Sequence, residues 1–313
     1  MAKGDGDKAW RTLGSFPEFK AAFGPSPLGN TPPAFGHSAA APASTDFLER
    51  DYELDIGGCI TRSFELMKTN FGTLFGGFLL VIALIALASV IINGLATLVL
   101  PAHSAVFREV GRLVAAGLLA PLTGPLMAGF YWLYIRLNRG ETANTGDVFA
   151  GFKQNFKDLF LGNLIISLVS GLCVAPYMIV NDTKMMPILE KIQQVQHTNP
   201  DELQSLLPQL WSGMFASLPL FLVCMIPAMY LAINWQFALP LILDKQMAFW
   251  PAMMASWKQV HKHWWQVFGL VIVVGLVGAA GLLGCCIGVI FTFPIGMGAV
   301  MIAYETIFGA RKN

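Results

Sequence analysis

Few residues in this sequence have the types and spacing that chemistry requires. His261 and His263 lie two apart, so on a helix they point to different faces and make a poor metal pair. They read instead as part of a cationic helix face. The five cysteines, at 59, 173, 224, 285 and 286, form no C-x-x-C pair and fall near no histidine at ligand spacing. Cys285 and Cys286 sit beside Gly284 in an apolar run and read as small packing residues at a helix end. No Gly-rich phosphate loop and no H-E-x-x-H occurs, and no nucleophile stands beside a base. The expectation is a protein that is not an enzyme, with no cofactor and no metal.

What remains is a short set of polar side chains inside apolar runs. Such groups are costly in hydrocarbon and therefore mark function or interhelical bonding. Asn234 and Gln236 flank Trp235, Asn163 lies early in another run, and Asp244 and Glu305 lie near run ends. Interhelical hydrogen bonding is the expectation for Asn234 and Gln236, with a polar path for a solute as the alternative. Glu305 is expected to pair with a cation or to reach the headgroup layer.

The elements that must position these groups are membrane spans. Of the 313 residues, 55% are hydrophobic and 12% charged, against roughly 25% charged in soluble domains. The net charge of +1 excludes a global basic field for nucleic acid. Six apolar runs fall at 71–100, 113–135, 159–180, 214–243, 264–284 and 287–308, each near the ~20 residues that a span needs. The fold class is therefore an all-α membrane protein with six transmembrane helices. Prolines 219, 227 and 240 interrupt the fourth run, as at many transport sites. Glycines 275, 278, 281, 284 and 288 form a small-residue stripe that close helix packing explains.

Basic residues set the orientation. Arg50, Arg62, Lys68, Arg136, Arg139, Lys153, Lys157, Lys245, Lys258, Lys262, Arg311 and Lys312 fall on one side, which is twelve. Arg108, Arg112, Lys184 and Lys191 fall on the other, which is four. Both termini are thus expected in the cytoplasm, in a bacterial inner membrane. The first 50 residues hold no signal-peptide core, so span one is expected to serve as the membrane signal. The segment 24–53 reads as a flexible linker rich in Pro, Ala and Gly that follows a polar segment, 1–23, and precedes a membrane domain over 54–313. The outer loop 182–212 is expected to hold two short amphipathic helices, 185–197 and 200–211, the second started by Asn199-Pro200-Asp201-Glu202.

Three segments before spans one, three and five align without gaps: TRSFELMKTNFGTLFGG (61–77), GDVFAGFKQNFKDLFLG (146–162) and MASWKQVHKHWWQVFGL (254–270). Phe64, Phe149 and Trp257 correspond, as do Phe71, Phe156 and Trp264, and then Phe75, Phe160 and Phe268. Each reads as an amphipathic helix lying in the interface before a span. The expected unit is an interfacial helix followed by a helical hairpin, three times over, packed sequentially or about a pseudo-threefold axis.

The stretches LDIGGCITRSFELMKTNFGTLFGG (54–77) and FALPLILDKQMAFWPAMMASWKQVHKHWW (237–265) resemble the membrane domain associated with glycerophosphodiester phosphodiesterases and its relatives of unknown function. The resemblance spans about 54–308 and implies a helical membrane domain. It implies no phosphodiesterase activity, which in such fusions belongs to a separate barrel domain. Residues 5–24, through Trp10, Arg11, Leu13, Pro17, Glu18 and Phe19, resemble the tail of a bacterial GYF-like domain. So short a piece cannot build a core, so peptide binding is not expected from it. The function expected is a membrane scaffold that binds lipids and a cytoplasmic protein partner. A small-solute transporter or channel through spans three to six is the alternative.

Overall fold

The computed structural model describes residues 45–99, 105–195, 200–283 and 287–309. The GYF-like stretch, most of the expected linker and the Cys285-Cys286 pair lie outside them. Every regular element among the described residues is helical. The helices are α1 (Ile56–Thr69), α2 (Phe71–Val99), α3 (Ala105–Asn138), α4 (Ala150–Lys153), α5 (Phe156–Val195), α6 (Pro200–Asn234), α7 (Ala238–Asp244), α8 (Phe249–Lys262), α9 (Trp264–Leu283) and α10 (Ile287–Phe308). Six are long and apolar enough to cross a membrane, α6 and α7 together forming the fourth. The protein is a multi-pass membrane protein.

The hairpins α2–α3, α5–α6 and α9–α10 each pack internally. The first hairpin packs on both others, α3 against α5 and against α10, and α6 meets α9. About half of α10's span is buried and 44% of α3's, against 11–22% for the other four, so α3 and α10 form the centre. Leu126, Phe130 and Tyr134 on α3 and Tyr304 on α10 are fully buried, with Phe237 packed against Tyr304.

The boundaries follow from local chemistry. The Asp55 side chain caps α1 by accepting from the Gly58 N–H at 2.9 Å. Spans one, three and five begin at Phe71, Phe156 and Trp264, three equivalent repeat positions. Three residues further on, Leu74, Leu159 and Val267 are all fully buried.

Two expectations need correction, the single helix over 149–160 and the two short helices of the expected outer loop. The helices α1 and α8 each pack one face on protein: α1 buries Cys59, Ser63 and Met67, and α8 buries Ala252, Met253, Ala255, Ser256, Gln259 and Val260, while Phe64 on α1 and Trp250 and Met254 on α8 stay exposed. Small residues on that face let α8 approach closely, a feature that an amphipathic pattern does not distinguish from lipid contact. The second copy is not one helix over 149–160 but a 3-10 turn (Thr145–Phe149) and the single turn α4, which break at Gln154–Asn155 before α5. Asn155 takes a left-handed backbone there (φ 51°), and its side chain donates to the Ile242 carbonyl at 3.0 Å. Phe149, Phe152 and Phe156 still form one exposed ring ladder, with centroids 6.3 and 6.0 Å apart.

The segment expected as an outer loop is not two short helices. Residues 182–195 continue α5 and residues 200–212 belong to α6, so spans three and four extend as one antiparallel pair. At 1.5 Å per residue a helix of 40 residues reaches about 60 Å, twice the ~30 Å hydrocarbon core. At the far end of the bundle Arg112 joins Glu109 (2.9 Å) and Asp182 (2.9 Å), tying α3 to α5.

The end of the expected linker is also packed. Phe47 meets Phe308 edge-on at 5.4 Å, Tyr52 Oη donates to the Gln259 carbonyl, and the Leu54 N–H donates to Gln266 Oε1.

Candidate functional site

The broken fourth span organises the polar groups. Pro240 lies in the first turn of α7, where no N–H donor is needed, but its ring excludes a helical Gln236 carbonyl four residues earlier. The helix therefore opens at Trp235–Phe237, between the prolines and not at Pro219 or Pro227, which lie inside α6. Ser256, fully buried on α8, closes the opening. Its hydroxyl donates to the Asn234 carbonyl at 2.6 Å and accepts from the Phe237 N–H at 3.3 Å. Asn234 itself is fully buried, and its amide donates to the Tyr230 carbonyl on its own helix at 2.7 Å. The bond between helices thus runs through the Asn234 backbone, not through its side chain.

Gln236 sits apart from Asn234. It lines an apolar cavity of about 240 Å³ together with Gly275, Gly278 and Thr292, whose hydroxyl is buried without a partner among the described residues. The glycine stripe therefore splits. A Cβ on Gly281 or Gly288 would strike the other's backbone, whereas one on Gly275 or Gly278 would meet nothing within 4 Å. Asn163 bonds across helices, donating to Thr123 Oγ1 at 2.8 Å.

Asp244 and Glu305 converge on Arg139, at the side where spans two, four and six end. Arg139 holds Asp244 through two bonds, 2.7 and 3.0 Å, and lies 2.6 Å from Glu305. Tyr304 Oη donates to Asp244 at 2.7 Å, and Lys245 Nζ lies 3.6 Å from it. Burial works against the Arg139 charge, but the bonds and charges of Asp244 and Glu305 outweigh it and raise its pKa. His261 is not part of this cluster.

His261 lies instead in a groove on the same side of the bundle. The groove, about 620 Å³, is lined by Tyr230, His261, Lys262, His263, Trp264, Trp265 and Gln266. Tyr230 Oη and His261 Nδ1 are 3.2 Å apart, and the Tyr230 ring lies between Trp257 (5.4 Å) and Trp264 (5.9 Å). A second hollow of about 380 Å³ shares His263 and Gln266 with the first and adds Asp51, Tyr52 and Glu53. His263 Nε2 contacts the Asp51 carboxylate, and that bond holds Asp51 below the usual carboxylate range. Burial, then the Asp51 charge, pushes the Tyr52 hydroxyl up to about 12.

Sequence reasoning missed Ser256 and the groove. A signal for the serine was present, because Ser63 occupies the equivalent repeat position. Its hydroxyl donates to the Ile295 carbonyl at 2.6 Å, so both serines bond the backbone of a neighbouring span.

No curated protein and no solved structure matches the chain. Residues 204–297, which run from α6 through the Ser256-closed break and the groove into α10, match the family described as the membrane domain of glycerophosphoryl diester phosphodiesterase, and over that segment this chain is similar to it.

Proposed function

We propose that the protein is a non-enzymatic scaffold of a bacterial inner membrane that holds lipid, and a cytoplasmic protein partner, on the side where spans one, three and five begin. The twelve-to-four basic asymmetry supports a cytoplasmic assignment for that side and for both termini. The equivalent starts at Phe71, Phe156 and Trp264 support an origin by duplication of an amphipathic segment and a hairpin.

The observation that carries this reading is where the polar groups and the aromatic rings go. Arg139, Asp244 and Glu305 are committed to one another, Asn163 to Thr123, and the Asn234 amide to Tyr230. A set of aromatic rings near the span starts faces outward: Trp265 is 76% exposed, and Trp250, Phe64 and Phe71 are exposed as well. Amphipathic rings at span boundaries favour the headgroup level. A screen of the purified protein against lipids and small solutes, with Asn234→Leu and Gln236→Leu alongside, tests the proposal. Lipid binding that both variants retain is the expected result. Saturable solute binding that Gln236→Leu abolishes overturns it.

One observation favours the transporter reading. The Gln236 cavity holds the buried Thr292 hydroxyl, unpartnered among the described residues, beside a broken span. The same screen decides between the two.

A further inference from the structure

The groove beside α9 carries more than a general affinity for membranes. Its donors have capacity left after their internal bonds are counted. Lys262 Nζ donates to the Leu48 carbonyl (2.6 Å) and the Arg50 carbonyl (3.0 Å), which leaves one of its three hydrogens. His261 is exposed and uses Nδ1 with Tyr230, which leaves Nε2. Gln266 accepts from Leu54 through Oε1, which leaves its amide NH2. The Trp264 indole N–H is buried, without an acceptor among the described residues. A buried donor with no partner needs a reason, and here it belongs to a residue that lines the groove. Four donors of this kind around one hollow suit a phosphate.

The adjoining hollow has the opposite character. Asp51 and Glu53 line it, and it joins the first through His263 and Gln266. The two volumes, about 620 and 380 Å³, fall in the roughly 300–1,000 Å³ range of small-molecule sites. Below the groove, α9 turns one apolar stripe outward: Trp265, Ile272 and Leu276 are 76%, 45% and 63% exposed. Seven- and eleven-residue steps keep them on one face. An occupant can therefore place a phosphate among donors, a cation against carboxylates and hydrocarbon along a helix.

We propose that the paired hollows bind the headgroup of a zwitterionic phospholipid with a primary ammonium, its phosphate at His261, Lys262, Trp264 and Gln266 and its ammonium at Asp51 and Glu53. This rests on the lipid-scaffold reading and names its lipid. The test extracts the protein from bilayers that hold equal amounts of ethanolamine-, choline- and glycerol-headgroup phospholipids and reads retained lipid by native mass spectrometry. Ethanolamine lipid should be enriched over glycerol lipid by about two- to five-fold, the worth of one exposed ion pair. Choline lipid, whose ammonium has no hydrogens to donate, should be retained less than ethanolamine lipid. Asp51→Asn with Glu53→Gln should abolish the enrichment, and His261→Ala should lower retention of all three.

Equal retention of ethanolamine and glycerol lipids overturns the proposal, and so does an enrichment that Asp51→Asn with Glu53→Gln leaves intact. In either case retained lipid still supports the scaffold reading. Absence of all retained lipid overturns both. Should the variants not fold, wild type alone decides through competition. Soluble O-phosphoethanolamine should displace retained lipid better than inorganic phosphate does, and equal displacement by the two overturns the zwitterionic assignment.

Discussion

Replacing Arg139 with methionine tests whether the charge cluster holds the bundle together. The substitution keeps a long apolar stem and removes the cation between Asp244, whose side chain is 3% exposed, and Glu305, at 17%. Two bonds to Asp244, at 2.7 and 3.0 Å, and the 2.6 Å contact to Glu305 are lost together. Removing one partner of a buried pair costs about 3–5 kcal/mol, because the other charge stays behind. Lys245, 3.6 Å from Asp244, and the Tyr304 hydroxyl at 2.7 Å offset part of this, so the lower end of the range is expected. At about 2–4 °C per kcal/mol for a chain of this size, the melting temperature in detergent should fall by about 6–12 °C. Arg139→Lys keeps the charge but not the planar fork and should fall between wild type and Arg139→Met. Adding Asp244→Leu to Arg139→Met should restore part of the loss, because the most buried stranded charge is gone. Thermal unfolding followed by near-UV circular dichroism reads all four proteins. An Arg139→Met protein as stable as wild type, or a double variant less stable than the single one, refutes the reasoning.

Ser256→Ala should cost about 1–3 kcal/mol in the same unfolding assay, because it strands the Asn234 carbonyl and the Phe237 N–H in a dry site. Gly129→Ala should prevent normal folding, since a Cβ there would lie 1.8 Å from the Val148 carbonyl oxygen, while Gly275→Ala, with open space around it, should express and melt like wild type. Fluorescence-detected size exclusion compares the two glycine variants. Burial, then the Asp55 charge, pushes the Cys59 thiol up to about 11, so the nucleophilic thiolate is scarce at pH 8. Mass spectrometry should find Cys59 unmodified by a maleimide in the folded protein and modified after denaturation; rapid labelling of the folded protein would refute this.

The spans were legible because a bilayer imposes a length and a composition, and the helix starts at Phe71, Phe156 and Trp264 fall where the aligned segments place them. The pairing of Glu305 was legible from cost alone, since a carboxylate in hydrocarbon needs a cation. Its partner was not, because Arg139 lies 166 positions away and pairing depends on how α3 and α10 pack. The 40-residue length of α5 was hidden for a different reason. Residues 182–195 are polar enough to leave the hydrocarbon, and hydropathy marks where a span leaves lipid, not where its helix stops. The packing of one α8 face on protein was hidden because an amphipathic face has one pattern whether it meets lipid or protein.

The repeat also says where to look for what is specific. At the junction before each span the first two copies read Lys-Thr-Asn-Phe and Lys-Gln-Asn-Phe, and the third reads His-Lys-His-Trp followed by Trp265. Asn70 and Asn155 bond backbone carbonyls, of Leu66 and Ile242, whereas His263 turns to Asp51 and joins the two hollows. The change from phenylalanine to tryptophan adds an N–H, and that N–H has no acceptor among the described residues. Packing alone gives no benefit from such a donor, because a buried unsatisfied group costs about 1–3 kcal/mol. Trp264→Phe restores the residue of the other copies, keeps an aromatic ring against Phe268 at the present 4.8 Å stacking position, and deletes only the donor and one ring. If the indole serves a ligand, stability in lipid-free detergent should hold or rise while retained ethanolamine lipid falls. If the indole serves packing, stability should fall and lipid retention should follow it. Melting temperature and retained lipid measured on the same sample separate the two, and a loss of both together would sink the assignment of Trp264 to the phosphate.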